Sequence, residues 1–266
     1  FATHLLVPTA DSLAPTTGTV RATLDRPRVA GVTFLRAGFA LGLGGDAIRI
    51  DTLFAEHSSG RFDAVGAFGR PGAPPARVSF GAGVDTLANF APLARWWRER
   101  SGLAAEGDVG LEGEGRFTGT LSGTTDAWDV RADLSLATFA FASVRARALR
   151  VQGTFAPGGA VATVKVTVDA ESLAVAGFRT GELHVTAQGP LDSVAIRADV
   201  ALPLNVSLRT ALFAALDSAR LRARIEVARL RLPSGVWALA GPATVVVTPD
   251  SAVVAGVDLR SGAGRL

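Results

Sequence analysis

Apolar and polar residues alternate with a period of two along most of this sequence, and no other feature constrains the fold as strongly. The stretch 130–136 reads Val-Arg-Ala-Asp-Leu-Ser-Leu, and the stretches 163–168, 183–186, 204–209 and 221–227 alternate in the same way. A period of two is typical of β-strands that have one apolar and one polar face. The chain is therefore predicted to form a sheet with one apolar side.

Turn-forming residues interrupt these stretches at short intervals, as in Pro71-Gly72, Gly189-Pro190 and Gly241-Pro242. Closely spaced strands without intervening helices favour an antiparallel all-β fold. Two stretches have apolar residues at helical spacing. We predict a short helical insertion over about 86–99, whereas 209–219 is interpreted either as a helix or as a strand with a turn.

The alternation changes phase at two places. After Val227 the apolar positions continue at Leu230, and a similar slip occurs between Ala148 and Leu149. Because a slip of one residue turns every following side chain to the other face, we expect a β-bulge or strand break near Ala228 and near Ala148.

A phrase of about twenty residues occurs twice, since the stretch 115–134 aligns without a gap with 181–200. Both copies contain a glycine-strand-glycine segment, an Asp-containing turn and an aliphatic-Arg-Ala-Asp-aliphatic segment. Repetition at fixed spacing indicates an array of similar units. We predict repeat units at about 60–114, 115–180 and 181–246 within a single elongated segment over 1–266. Because methionine is absent even at position 1, we expect this segment to belong to a longer chain.

The charge balance argues against nucleic acid as a partner. The sequence pI is about 10.7, but the net charge is only +3 from 27 basic and 24 acidic residues. The pI is high because Cys and Tyr are absent and Lys165 is the only lysine, so few groups titrate between the carboxylates and arginine. The basic residues are also spread along the chain rather than concentrated on one face. The absence of cysteine further excludes a disulfide scaffold and a thiolate metal site.

No motif in the sequence nominates an enzyme, a metal or a cofactor. The histidines His4, His57 and His184 belong to no metal-binding motif, and His184 falls on a polar strand face. The glycines at 42–45 and 113–115 precede strand patterns rather than helices, so they are interpreted as turns or bulges, not dinucleotide loops. The stretch 57–60 is interpreted as a polar hairpin turn.

A one-sided sheet must cover its apolar face, and one or two short helices cannot cover it. A β-sandwich would cover the face with a second sheet. A sheet curled into a groove would instead leave the face for a ligand such as an acyl chain. The sequence alone leaves both architectures open.

Several segments resemble the TamB family, the inner-membrane subunit of the bacterial translocation and assembly module, and the broader AsmA-like group. The duplicated phrase resembles that family's repeated unit, and 84–93 resembles its short helical insertion. The closing third carries the remaining resemblance, in the segments 202–208, 223–230, 235–243 and 254–262.

The resemblance implies an all-β, elongated antiparallel β-groove, or β-taco, in the periplasm, with an inner-membrane anchor outside this segment. It implies phospholipid transport between the inner and outer membranes, or outer-membrane protein assembly with a barrel partner of the TamA or BamA type. Phospholipid acyl chains are the expected ligand, and no cofactor is expected. The alternative is a structural β-sandwich or solenoid of a surface adhesin without lipid. The predicted groove lining consists of Leu134, Leu136, Val164, Val166, Val168, Leu183, Val185, Ile196, Val200, Val206, Leu208, Ile225 and Val227.

Overall fold

Antiparallel strands account for nearly all of the secondary structure, as the alternation predicts. The computed structural model describes residues 17–100, 110–141, 143–157, 161–175, 178–217, 220–248, 251–262 and 264–265. The all-β, antiparallel prediction is confirmed. The chain divides into two compact units, Phe1–Ala142 and Ser143–Leu266, so the predicted repeat unit 115–180 includes residues of both.

The first unit contains one antiparallel sheet and a separate small hairpin. The strands of the unit are β1 (Gly18–Asp25), β2 (Arg28–Val29), β3 (Val32–Thr33), β4 (Arg36–Gly44), β5 (Ala47–His57), β6 (Gly60–Gly69), β7 (Ala76–Val84), β8 (Glu112–Gly123) and β9 (Trp128–Phe141). Strand β1 pairs with β4, and each following strand pairs with the next as far as β9. Strands β2 and β3 pair with each other.

The second unit is built in the same manner. Its strands are β10 (Val144–Ala156), β11 (Thr163–Ala170), β12 (Ser172–Val175), β13 (Phe178–Thr180), β14 (Leu183–Pro190), β15 (Val194–Leu202), β16 (Val206–Asp217), β17 (Arg220–Leu232), β18 (Gly235–Leu239), β19 (Ala243–Thr248), β20 (Ser251–Ala255), β21 (Leu259–Ser261) and β22 (Gly264–Arg265). Its long strands pair in the order β10, β11, β14, β15, β16, β17 and β19.

The two copies of the duplicated phrase form β-hairpins with the same register. In the first hairpin Phe117 pairs with Leu134, and in the second Leu183, at the aligned position, pairs with Val200. Gly123 and Gly189, also aligned, both have a positive φ, of 122° and 139°. The sequence alignment therefore corresponds to a shared hairpin geometry.

Among the residues that the structure describes, the helical segments form one insertion, between β7 and β8. It consists of a 3-10 helix, Leu87–Phe90, followed by α1, Ala91–Arg100, in agreement with the helix predicted over 86–99. The second helical interpretation is wrong, because 209–217 lies within β16. Thr210 and Leu212 there pair with Ala198 and Ile196 of β15, and this ladder satisfies the backbone of the segment without a helix.

Both predicted slips occur. Ala148 adopts a positive φ of 47°, and β10 pairs with β12 before this residue and with β11 after it. The second slip is a register shift in β17 between Ile225 and Val227, close to the predicted Ala228.

Candidate functional site

The apolar side of the second unit is a continuous surface across neighbouring strands. Directly paired residues of antiparallel strands point to the same face, so the register shows which side chains lie together. One lateral row runs from Val166 through Ala187, Ile196 and Leu212 to Ile225. We call this surface the second apolar face. It includes two further parallel rows, both on the Ala170 side of the first, which contain Val168, Val185, Ala198, Thr210 and Ala228, and Ala170, Leu183, Val200, Leu208 and Leu230.

Most of the predicted lining residues belong to this face. The register places on it Val164, Val166, Val168, Leu183, Val185, Ile196, Val200, Val206, Leu208 and Ile225. Every one of them is half-buried, and none reaches the full burial expected at the centre of a sandwich core. The face is therefore aliphatic, in register and still partly accessible.

A single hydroxyl interrupts these rows, and it is satisfied within the sheet. Thr210 Oγ1 donates a hydrogen bond to the carbonyl oxygen of Val227 at 3.0 Å. The bond links the hydroxyl to the backbone next to the register shift. The three rows contain no charged side chain. They therefore offer no charged group that would hold a lipid head group in place.

Val227 corrects the predicted lining. It pairs with Ala211, whereas Ile225 pairs with Leu212, so Glu226 is an extra residue in β17. An extra residue reverses the side-chain alternation beyond it. Val227 therefore lies on the opposite, polar face, where it is 40% exposed. The slip was predicted near Ala228, but its actual position before Val227 changes the face on which that residue lies.

Several residues of the second apolar face were missed by the sequence reasoning. Leu212 was overlooked because 209–219 had two interpretations. Val151 and Phe155 follow the slip at Ala148 and pair with Val168 and Val164. The resumed alternation after Ala148 is the sequence signal that identifies these two residues.

The other two predicted lining residues, Leu134 and Leu136, belong to the first unit. Leu134 pairs with Phe117, whose ring centroid lies 5.4 Å from that of Phe80. Leu136 is only 7% exposed and packs over Gly115, whose missing side chain leaves the space that Leu136 occupies. Leu136 therefore belongs to the packed interior of its sheet.

The apolar surface of the first unit has larger side chains than that of the second. One lateral row of this first apolar face contains Phe39, Leu53, Ala64, Phe80, Gly119 and Ala132. Ala64 and Val78 are buried on it. In this row the ring of Phe80 packs over Gly119, which has no side chain to exclude it.

The opposite face of the second unit carries a lateral row of acidic and basic side chains. The row runs through Asp169, His184, Asp199, Arg209 and Arg229. His184 Nδ1 lies 2.6 Å from Asp169 Oδ1, and Arg209 Nε donates a hydrogen bond to Asp199. That hydrogen bond, with the negative charge of Asp199, raises the pKa of Arg209 above its usual value. His184 therefore lies on the solvated polar face, as predicted.

The first unit has a similar row, in which Asp25, Arg36, Glu56 and Arg61 follow one another across the strands. Arg36 lies 3.7 Å from Asp25, and Arg61 lies 3.3 Å from Glu56. Exposed pairs of this kind contribute little stability individually. Opposite charges directly across from one another favour this register over a shifted one.

The glycine-rich motifs have the structural roles predicted for them. Gly44 pairs with Ala47 around a hairpin turn. Gly113 has a φ of 125° and precedes a register shift between Glu114 and Gly115. His57 and Gly60 close another hairpin, as expected for the stretch 57–60.

Among the residues that the structure describes, no three His, Asp or Glu side chains converge as a metal site would require. Within the same part of the chain, no helix is long and apolar enough to cross a membrane. No protein-family model, curated protein sequence or solved structure matches the chain.

Proposed function

We propose that this chain is a non-enzymatic carrier of phospholipid, and that acyl chains lie against the second apolar face. The observation that carries the proposal is the half-burial of an aliphatic surface that runs in register from β11 to β17. Large contiguous apolar surfaces on soluble proteins are characteristic of binding sites. An acyl chain suits this surface because both are aliphatic and neither requires a polar partner.

The energetics favour binding of the acyl chain without fixing it at one position on the face. Each methylene group removed from water stabilises the bound lipid by about 0.8 kcal/mol when burial is complete. On a half-accessible face the gain per methylene is smaller. Because the side chains of the rows are nearly uniform in chemistry, an acyl chain shifted from one row to the next would lose little binding free energy. Such a surface would let lipids slide rather than hold them at one position.

The cellular setting is proposed on the TamB resemblance alone. In that setting the chain would lie in the periplasm and move phospholipid between the inner and outer membranes, or support outer-membrane protein assembly. An inner-membrane anchor and a barrel partner of the TamA or BamA type would act through other parts of a longer protein.

The test is the lipid content of the chain after expression in bacteria and purification without detergent. Lipids are extracted with organic solvent and measured by mass spectrometry. The test variant carries Val166→Arg, Ile196→Arg and Val206→Arg, which place three charges on the second apolar face. We expect phospholipid in the unmodified protein and a loss of most of it in this variant.

A matched control carries the same three charges on the same strands but on the opposite face. Thr167→Arg, Ala195→Arg and Ser207→Arg each lie one residue from a test position, and their pairing places them on the polar side. This control should keep its lipid. A folded unmodified protein without any lipid would contradict the proposal and favour the structural sandwich of an adhesin. Equal loss from both variants would also contradict it, because the effect would then be independent of the face.

A further inference from the structure

Strand β17 carries a line of four arginines on the polar face of the second unit. Arg222 and Arg224 precede the register shift, and Arg229 and Arg231 follow it. All four are exposed. At about 3.3 Å per residue along a strand, the line is roughly 30 Å long. We call these four residues the arginine stripe.

The neighbouring strands place no carboxylate directly opposite the stripe. Arg229 pairs with Arg209 of β16 on one side and with Ala238 of β18 on the other. Both partners of each other arginine in the stripe are uncharged. Like charges directly opposite each other destabilise a strand pair. The register of β17 is therefore not stabilised by cross-strand ion pairs of the stripe.

Three of the four guanidinium groups also lack an ion pair along the strand. Arg224 is the exception, since its Nε lies 2.8 Å from Oε1 of Glu226. Among the residues that the structure describes, Arg222, Arg229 and Arg231 have no carboxylate partner. The stripe therefore has a surplus of positive charge that the sheet itself does not neutralise.

This surplus is confined to a narrow line. On one side of the stripe Arg209 is already bonded to Asp199 of β15. On the other side Arg260 donates a hydrogen bond of 2.9 Å to Asp258. A broad anionic surface such as a bilayer would meet these two carboxylates as well as the arginines. A narrow anionic chain can lie along β17 alone.

Exposed apolar side chains lie within and beside the stripe. Val227 is 40% exposed, Phe213 is 50% exposed and Val236 is 48% exposed. Phe213 is the one aromatic ring among the residues paired directly with the stripe. Single-stranded nucleic acid needs such a ring for each of several successive bases. Arginine together with an aromatic residue is instead typical of protein interfaces, which favours a polypeptide as the anionic chain.

We propose that the arginine stripe binds an acidic segment of another polypeptide in an extended conformation. Acidic residues at alternate positions of an extended chain project to one side about 6.6–7 Å apart, which is also the spacing of arginines at alternate positions of β17. Each carboxylate can then meet one guanidinium, which binds it with two parallel hydrogen bonds. An apolar residue midway along the segment would contact Val227.

The inference goes beyond lipid carriage, because the arginine stripe lies on the side of the sheet opposite the second apolar face. A ligand bound to the stripe would leave the aliphatic rows accessible.

The probe is the fluorescein-labelled peptide Glu-Ser-Glu-Ser-Val-Ser-Glu-Ser-Glu, whose order of side chains is the same in both directions. It is titrated with the full chain at low ionic strength, and binding is followed by fluorescence anisotropy. We expect saturable binding that weakens as salt is added, because exposed charges are screened. The peptide Glu-Glu-Ser-Ser-Val-Ser-Ser-Glu-Glu has the same composition, but two of its carboxylates point away from the stripe. It should bind about fivefold more weakly, since each exposed charge pair contributes modestly.

The variant Arg229→Gln/Arg231→Gln removes two of the unpaired charges and should also weaken binding by about fivefold. The matched control is Arg36→Gln/Arg61→Gln, which removes the same charge from the first unit, where the arginines lie beside Asp25 and Glu56. It should bind the peptide as the unmodified protein does. Circular dichroism of each variant establishes that the fold is kept.

Absence of binding to the unmodified chain, equal affinity for the two acidic peptides, or equal effects of the two double variants would overturn the proposal. Competition tests the other anionic ligands. If oligothymidylate of matching length or phosphatidylglycerol vesicles displace the probe at lower concentration than the unlabelled peptide does, the proposal is also overturned, because the stripe then prefers nucleic acid or a membrane.

The two proposals fail separately in this design. Arg229→Gln/Arg231→Gln should leave the extracted phospholipid unchanged. The variant with arginines at 166, 196 and 206 should lose its lipid and still bind the acidic peptide.

Discussion

Ile225 and Val227 lie two positions apart on one strand and point to opposite faces of the sheet. Ile225 is paired with Leu212 on the second apolar face, and Val227 is paired with Ala211 on the polar face. A regular strand would place both side chains on the same face. The extra residue between them, Glu226, produces the reversal.

This reversal predicts unequal effects of the same substitution at the two positions. Ile225→Arg should remove most of the bound phospholipid, because it places a charge in the aliphatic row of Ile196 and Leu212. Val227→Arg should leave the lipid content unchanged, because its side chain joins the exposed arginines of the polar face. Mass spectrometry of extracted lipids measures both. Comparable losses from the two variants would show that the side of the sheet does not govern binding.

The packing of Phe80 over Gly119 predicts a stability effect in the first unit. A Cβ added to Gly119 would lie 2.5 Å from ring carbons of Phe80 and 2.5 Å from the carbonyl oxygen of Arg131. Gly119→Ala should lower the free energy of unfolding by about 1–3 kcal/mol through overpacking. Urea denaturation measures the change.

The control for this substitution is Gly83→Ala in the adjacent strand. A Cβ at Gly83 meets no heavy atom within 4 Å. Its free energy of unfolding should stay within about 0.5 kcal/mol of the unmodified value or rise slightly. Equal destabilisation by both alanines would mean that the loss of glycine itself, rather than contact with Phe80, is responsible.

The duplicated hairpins predict parallel effects at Gly123 and Gly189. Both residues have a positive φ, where an L side chain is strained by about 1–3 kcal/mol. A Cβ at Gly189 would lie 2.7 Å from the carbonyl oxygen of Ser193, and one at Gly123 would lie still closer to that of Ala127. Each alanine variant should therefore be destabilised, Gly123→Ala more strongly, as measured by chemical denaturation.

Gly181→Ala serves as the control in the same repeat. Its added Cβ would lie 3.5 Å from that of Ala201, an ordinary contact distance. If Gly181→Ala lowers the free energy of unfolding as much as Gly189→Ala does, the role assigned to the positive φ is contradicted.

The hydrogen bond from Asn89 to Ser59 predicts that a single substitution loosens the helical insertion. Asn89→Ala leaves the hydroxyl of Ser59, a residue only 7% exposed, without this donor. The attachment should weaken by about 1–2 kcal/mol. Amide hydrogen exchange across 87–100 should accelerate correspondingly, because local opening governs exchange.

Ser79→Ala is the comparison for this prediction, because it removes a hydroxyl from an exposed strand position of the same unit. It should leave exchange in the helix unchanged. Unchanged exchange in Asn89→Ala itself would mean that the contacts of Phe90 and Arg98 suffice to hold the insertion.

Local chemistry made several features predictable from the sequence. Alternation identified the strands of both units because a half-covered sheet demands a period of two. Gly189-Pro190 and similar pairs marked turns, and the aligned phrases 115–134 and 181–200 pointed to two units of similar structure. The helix near 86–99 followed from the spacing of its apolar residues.

Other features depended on partners distant in the chain. The stretch 209–217 became a strand because β15 and β17 pair with it on both sides, which its own residues do not encode. Leu136 turned out to be buried because Gly115, on the neighbouring strand, leaves room for its side chain.

The sequence by itself determined that the chain forms antiparallel strands with one apolar and one polar side, because that alternation is a property of neighbouring residues. Only the tertiary structure decided the face on which Val227 lies, since the position of a bulge is settled by pairing with β16. It also decided that the second apolar face is left half-buried, because the cover of a sheet depends on what packs against it rather than on its own pattern. The exposure of Trp96 and Trp97 follows in the same way, from the tertiary contacts of the insertion, in which Phe90 lies against His57 and Arg98 lies over Phe141.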